Sequence, residues 1–126
     1  MLKIKRVYDP PERGDGERIL VDRLWPRGLS KRAAAVNEWN KDLGPSHELR
    51  QWFGHDPERW TEFRRRYVTE LHDQRDALAT IARKATRGPV TLLFGARDPD
   101  HNQAVVLKAV IGRLQKRAPR RRRRAA

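Results

Sequence analysis

Apolar and polar residues alternate at the amino terminus, Leu2, Ile4 and Arg6 against Lys3, Lys5 and Val7, which predicts a strand over residues 2–8 with one better-buried face. Residues 18–24 have a continuous apolar middle, Ile19-Leu20-Val21, as expected of a strand covered on both sides. That run ends in Trp25-Pro26-Arg27-Gly28, where proline cannot donate to a ladder and glycine permits a turn. Residues 89–96 are more uniformly apolar still and predict the central strand. Residues 29–43 read two ways: Ala33-Ala34-Ala35 favours a helical turn, and the alternation over 36–41 suits a third, edge strand.

Between these runs the period changes from 2 to 3.6. Ser46 precedes Leu49, Trp52 and Phe53, a short amphipathic helix closed by Gly54. Asp56-Pro57-Glu58 then supplies a cap, a proline at the first helical position and an acid in the first turn. From there Trp60, Phe63, Tyr67, Leu71, Leu78, Ile81 and Ala85 form one stripe, interrupted only by Gln74, and predict a single long helix ending near Gly88-Pro89. Asp98-Pro99-Asp100 repeats the cap, proline and acid and predicts the start of the last helix. That helix is apolar around most of its circumference through Ala104, Val106, Leu107, Val110, Ile111 and Leu114.

A strand entered from one helix and left into another favours parallel pairing. The pattern therefore predicts a small three-layer α/β domain, with a short, mostly parallel sheet of three to four strands flanked by helices. With 126 residues there is room for one domain, since domains typically hold on the order of 100–150 residues. The chain has no cysteine, which removes disulfides, thiolate nucleophiles and iron–sulfur ligation. His47, His55, His72 and His101 have no metal-binding spacing, and no cofactor motif such as GxGxxG or GxxxxGK[ST] occurs, so neither a metal nor a cofactor is expected. No apolar run approaches the ~20 residues of a membrane span, and no apolar leader opens the chain, which points to a cytoplasmic protein without a membrane partner.

The net charge of +13 is unevenly spread. Seven of the 29 lysines and arginines lie in residues 116–126, a segment without acids, so residues 1–115 hold 22 basic residues against all 16 acids. Arg120, Arg121, Arg122, Arg123 and Arg124 beside Pro119 repel one another and predict a disordered basic tail at 116–126, outside an α/β domain at 1–115. Such a tail can hold nucleic acid non-specifically by counterion release, or it is a solvated extension. It has no interleaved aromatic residue for base stacking.

The polar residues with most chemistry follow the two best strands. If those strands are parallel neighbours, Asp22, Arg23, Arg27, Arg97, Asp98 and His101 meet at the carboxyl edge of the sheet, with Asn102 beside them. Arginines near a helix amino terminus suit a small anionic ligand, a phosphate, sulfate or carboxylate. In this reading Arg23, Arg27, Arg97, Asp98 and Asn102 bind, and Asp22 or His101 moves a proton if a reaction occurs. Each has a plainer alternative: Asp98 as a helix cap, Arg23 as a structural ion-pair partner, Arg27 and Arg97 as solvated loop residues, and His101 as a surface residue. His47 and His55 flank the short helix and could line a groove beside Trp52. A nucleic-acid-associated protein using the basic body and tail is the alternative function. A docking module would need an apolar patch around Trp25, Trp39 and Trp52.

The segments Asp22-Arg23-Leu24-Trp25-Pro26-Arg27-Gly28, Trp39-Asn40-Lys41-Asp42-Leu43-Gly44-Pro45-Ser46 and Leu92-Leu93-Phe94-Gly95-Ala96-Arg97-Asp98 resemble, in order, the YeaO-like branch of domain-of-unknown-function family 488. The resemblance runs from Met1 to about Leu114 and implies a small α/β domain of bacterial cytoplasmic type, without specifying a reaction. Relatives in another branch place a cysteine near the position of Phe94 and another near His101. This chain has neither, so thiol chemistry is not carried over.

Overall fold

A computed structural model describes the backbone of residues 1–125 and the side chains of residues 1–116. Four strands, β1 (Leu2–Arg6), β2 (Glu17–Leu20), β3 (Glu38–Trp39) and β4 (Val90–Phe94), form one sheet in the order β1-β4-β2-β3. All pairings are parallel, with Ile4 and Ile19 both in register with Leu92. β4 holds the centre because all five of its residues can be buried, and they are. The alternation over residues 36–41 resolves as the two-residue edge strand β3, and Ala33-Ala34 lie in the one-turn helix α1 (Lys31–Ala34).

The two faces of the sheet are unequally covered. Ile19, Val90, Leu92 and Phe94 join the large core beneath α2 (His47–Phe53), α3 (Trp60–Glu70), α4 (Arg75–Arg87) and α5 (Gln103–Ala125). Leu20 and Leu93 face the other way, under Ala34 of α1 and the half-buried Trp25, Leu29, Val36 and Trp39. Trp25 meets Trp39 edge-on at 5.3 Å, and its indole N–H donates to Leu29 O. These tryptophans pack against the small core on this face. Trp52 is half-buried as well, with the Arg59 and Arg66 guanidiniums over its ring.

Two expectations need correction. The long helix is not continuous: α3 and α4 are separated by a 3₁₀ turn at Leu71–Gln74, and Gln74 leaves helical geometry at φ −111°, ψ 22°. The break falls where the apolar stripe carries a polar residue, and it lets α3 lie on α2 while α4 turns onto α5 and β4. The last helix also starts later than Asp98. Asn102, almost fully buried, caps it by accepting Val105 N–H, whereas Asp98 closes the turn ahead by accepting the N–H groups of Asp100 and His101. The backbone of residues 116–125, expected as a disordered tail, continues α5, and the side chains of Arg120 to Arg124 lie outside the described residues.

A clamp holds the amino-terminal edge of the sheet. Asp15 and Arg18 are both buried and pair at 2.5 Å, while Arg18 also donates to Ala34 O and Ala35 O. Burial alone would raise the Asp15 carboxyl, but hydrogen bonds from Glu12 N–H, Lys5 and Arg18 hold it below the ordinary carboxylate range. Gly16 follows at φ 64°, and a Cβ there would come within 2.0 Å of Pro89 O, so only glycine fits this close approach. Among the described residues no helix is long and apolar enough to cross a membrane.

Candidate functional site

β2 and β4 are hydrogen-bonded neighbours, so their carboxyl ends finish side by side, as the sequence leads one to expect. The pairing extends one residue past β2, through Val21 N–H to Leu93 O, and delivers Asp22 directly to the backbone after β4. Asp22 Oδ2 accepts Gly95 N–H at 2.8 Å, and Oδ1 accepts the Gln103 side-chain amide at the start of α5. A Cβ on residue 95 would stand 2.9 Å from that carboxylate, so the glycine makes room for an aspartate of the chain itself. Burial pushes the Asp22 carboxyl up to about 6, although the Gly95 N–H and the Arg50 charge both pull it down.

α2 forms the opposite wall. Its cap, Ser46, is fixed from below, because both Ser46 N–H and Oγ donate to the Glu70 carboxylate, at 2.9 and 2.6 Å. Leu49 and Phe53 point into the core, which leaves His47, Arg50 and Gln51 on the exposed side. Arg23 comes across from β2 and donates through Nε to Pro45 O at 2.7 Å. Among the described residues no carboxylate oxygen stands within 4.0 Å of either the Arg23 or the Arg50 guanidinium.

The third wall is the turn before α5. His101 Nδ1 lies 2.8 Å from Asp98 Oδ2, and Trp60 meets the imidazole edge-on at 5.2 Å. Asp98, accepting Asp100 N–H and then the His101 side chain, is held below the ordinary carboxylate range. Together these walls enclose a hollow of about 410 Å³, with Asp22, Arg23, Arg50 and His101 on its polar sides and Phe53 and Phe63 on its apolar side. A smaller hollow of about 250 Å³ lies against Tyr67 and Glu70 and shares Arg23 with the first.

Of the residues singled out in the sequence, Asp22, Arg23, His101 and Asn102 line the larger hollow. Arg27 and Arg97 are exposed and do not line it. The Arg27 carbonyl accepts the Tyr8 hydroxyl, and Asp98 stands behind His101. His47 and His55 do line the hollow, but Trp52 does not. Sequence reasoning missed Arg50 and Gln103. Arg50 carries a weak signal, since it lies three residues beyond His47 and shares its side of the short helix. Gln103 carries none. Among the described residues no three His, Asp or Glu side chains are grouped to hold a metal ion.

The chain is similar to proteins from three bacteria. It is 48% identical over 109 residues to the uncharacterized protein YeaO of Escherichia coli, covering 84% of this chain and 92% of that one. It is 42% identical over 110 residues to uncharacterized proteins of Mycobacterium tuberculosis and Mycobacterium bovis, covering 87% of this chain and 92% of each of theirs. No solved structure matches it. A family model matches residues 1–125 throughout. With this fold, and with its Asp-Arg-Leu-Trp-Pro-Arg-Gly segment passing the hollow at Asp22 and Arg23, the chain belongs to the DUF488 family, in the branch described as the inactive DUF488-N3 subclade.

Proposed function

We propose that this domain binds a small anionic ligand, a carboxylate or phosphate with an apolar portion, in the hollow at the carboxyl ends of β2 and β4. The observation that carries this reading is the pair Arg23 and Arg50: two arginines lining one concave site, neither with a carboxylate in ion-pair contact among the described residues. Guanidinium groups hold carboxylates and phosphates through paired donors, and a partly enclosed site strengthens the attraction. Phe53 and Phe63, packed in the core, turn only their edges to the apolar side, and about 410 Å³ lies near the small end of ligand pockets, which run from roughly 300 to 1,000 Å³.

Asp22 supports the same reading. Folding raises the carboxyl to about 6, so in this position it is a worse acid than in the unfolded chain. Groups placed against their own preference gather at sites of function. The subclade's description as inactive favours binding over turnover. Asp22 and His101 remain the groups that would move a proton if a reaction occurs.

Calorimetric titration of the full chain with inorganic phosphate and with phenylacetate tests the proposal. Binding should weaken by about tenfold or more in Arg50→Ala and in Arg23→Ala, the loss of a charge-assisted contact. Affinities unchanged in both variants would remove the site.

A further inference from the structure

Among the described residues Asp22 is the one carboxylate lining the hollow, and an anion held by Arg23 and Arg50 would have it as a neighbour. Among the described residues each of its oxygens has a single donor, Gly95 N–H on Oδ2 and the Gln103 amide on Oδ1. An ionised carboxylate can accept about four hydrogen bonds, so roughly half of its capacity is unused. The other charged groups around the hollow, Arg23 and Arg50, are donors only. A ligand with nothing but a negative group would satisfy those donors and face Asp22 as a like charge. A ligand with a hydroxyl or amine beside its acidic group would instead place a donor on Asp22, turning the repulsion into a contact.

We propose that the anion bound here carries a hydrogen-bond donor next to its acidic group, as a hydroxy acid or an amino acid does, and that Asp22 selects for it. The inference rests on the anion-binding reading above. It makes Asp22 the residue that separates two otherwise identical acids. Its carboxylate is suited to that work because it is pinned at both oxygens: a fixed acceptor rejects a ligand that cannot donate, where a free one would turn away. Gly95 maintains the pinning by leaving its N–H uncovered, and Gln103 by approaching from the first turn of α5.

Mandelate and phenylacetate differ by one hydroxyl beside the carboxylate, and both present a phenyl ring to Phe53 and Phe63. Calorimetric titration of the full chain at pH 7.5, where Asp22 is ionised, should give mandelate the tighter binding by about tenfold or more. In Asp22→Asn the gap should close to within about threefold, chiefly because phenylacetate, freed of the like charge, binds more tightly. Equal affinities for the two acids on the unaltered chain would overturn the selection while leaving the anion seat standing. Failure of both acids and of inorganic phosphate to bind would remove the seat, and the selection with it. The comparison on the unaltered chain decides without any variant, so the outcome does not depend on how Asp22→Asn folds.

Discussion

The carboxylate of Asp22, just past the end of β2, accepts the backbone N–H of Gly95, just past the end of β4, at 2.8 Å. One contact thus joins the two central strands at their carboxyl ends and fixes an acidic group at the rim of the larger hollow.

The first consequence is a stability that depends on pH. The Asp22 carboxyl has its ordinary value of 3.8 in the unfolded chain and about 6 in the folded one, so between these values the folded state holds the extra proton. The sign follows: the contribution of Asp22 to stability is fully present below about pH 4 and is lost as pH rises through about 6. Asp22→Asn, which cannot ionise, should be about 1–3 kcal/mol more stable relative to the natural chain at pH 8 than at pH 4. Urea unfolding of both proteins at the two pH values measures this, and a difference independent of pH would contradict it.

Gly95→Ala places a methyl group 2.9 Å from Asp22 Oδ2. The carboxylate must leave the Gly95 N–H, at an expected cost of about 1–2 kcal/mol in urea unfolding at pH 7. The same variant should lose the preference for mandelate while keeping its affinity for inorganic phosphate, since Arg23 and Arg50 are untouched.

At the opposite edge, Arg18→Met leaves Asp15 buried without its closest cation. Lys5, at 3.2 Å, and the Glu12 N–H still hold the carboxylate, so the loss should be about 1–3 kcal/mol, less than for a fully stranded charge. The double variant Arg18→Met/Asp15→Asn, followed by chemical denaturation, should lose less than the sum of the two single losses, which tests that coupling.

The basic tail and the hollow should separate cleanly. Deleting residues 116–126 removes seven positive charges and should weaken binding of a random-sequence oligonucleotide, with a flatter dependence on salt than the full chain shows. Affinity for inorganic phosphate should stay unchanged in the shortened chain. Filter binding across a range of salt concentrations reads the first effect and calorimetry the second.

Much of this arrangement is legible in the sequence, and the illegible parts share a cause. β2 and β4 declare themselves through unbroken apolar runs, and Asp22 is conspicuous as the charged residue directly after one of them. Parallel pairing follows from the helices between the strands. Arg50 and Gln103 acquire their roles only when α2 and α5 are brought to the same edge, an event that no local pattern records. Gln74 in the apolar stripe is a true local sign of the break between α3 and α4, but a lone polar residue is equally compatible with a continuous helix. Asp98 and Asn102 are both good capping residues four positions apart. Packing decided between them, because Asn102 is the one buried against the core.

The buried Asp15–Arg18 pair has a consequence for how this chain can change over generations. Together with the Glu17 N–H, which donates to Pro89 O, it holds the strands at the end remote from the hollow. Much of the frame is thereby held at one edge, and most of the other, beyond the Asp22–Gly95 contact, is freer to vary. A lineage could lose an ancestral chemistry at the rim, residue by residue, and still inherit an intact frame on which a different recognition task can be installed.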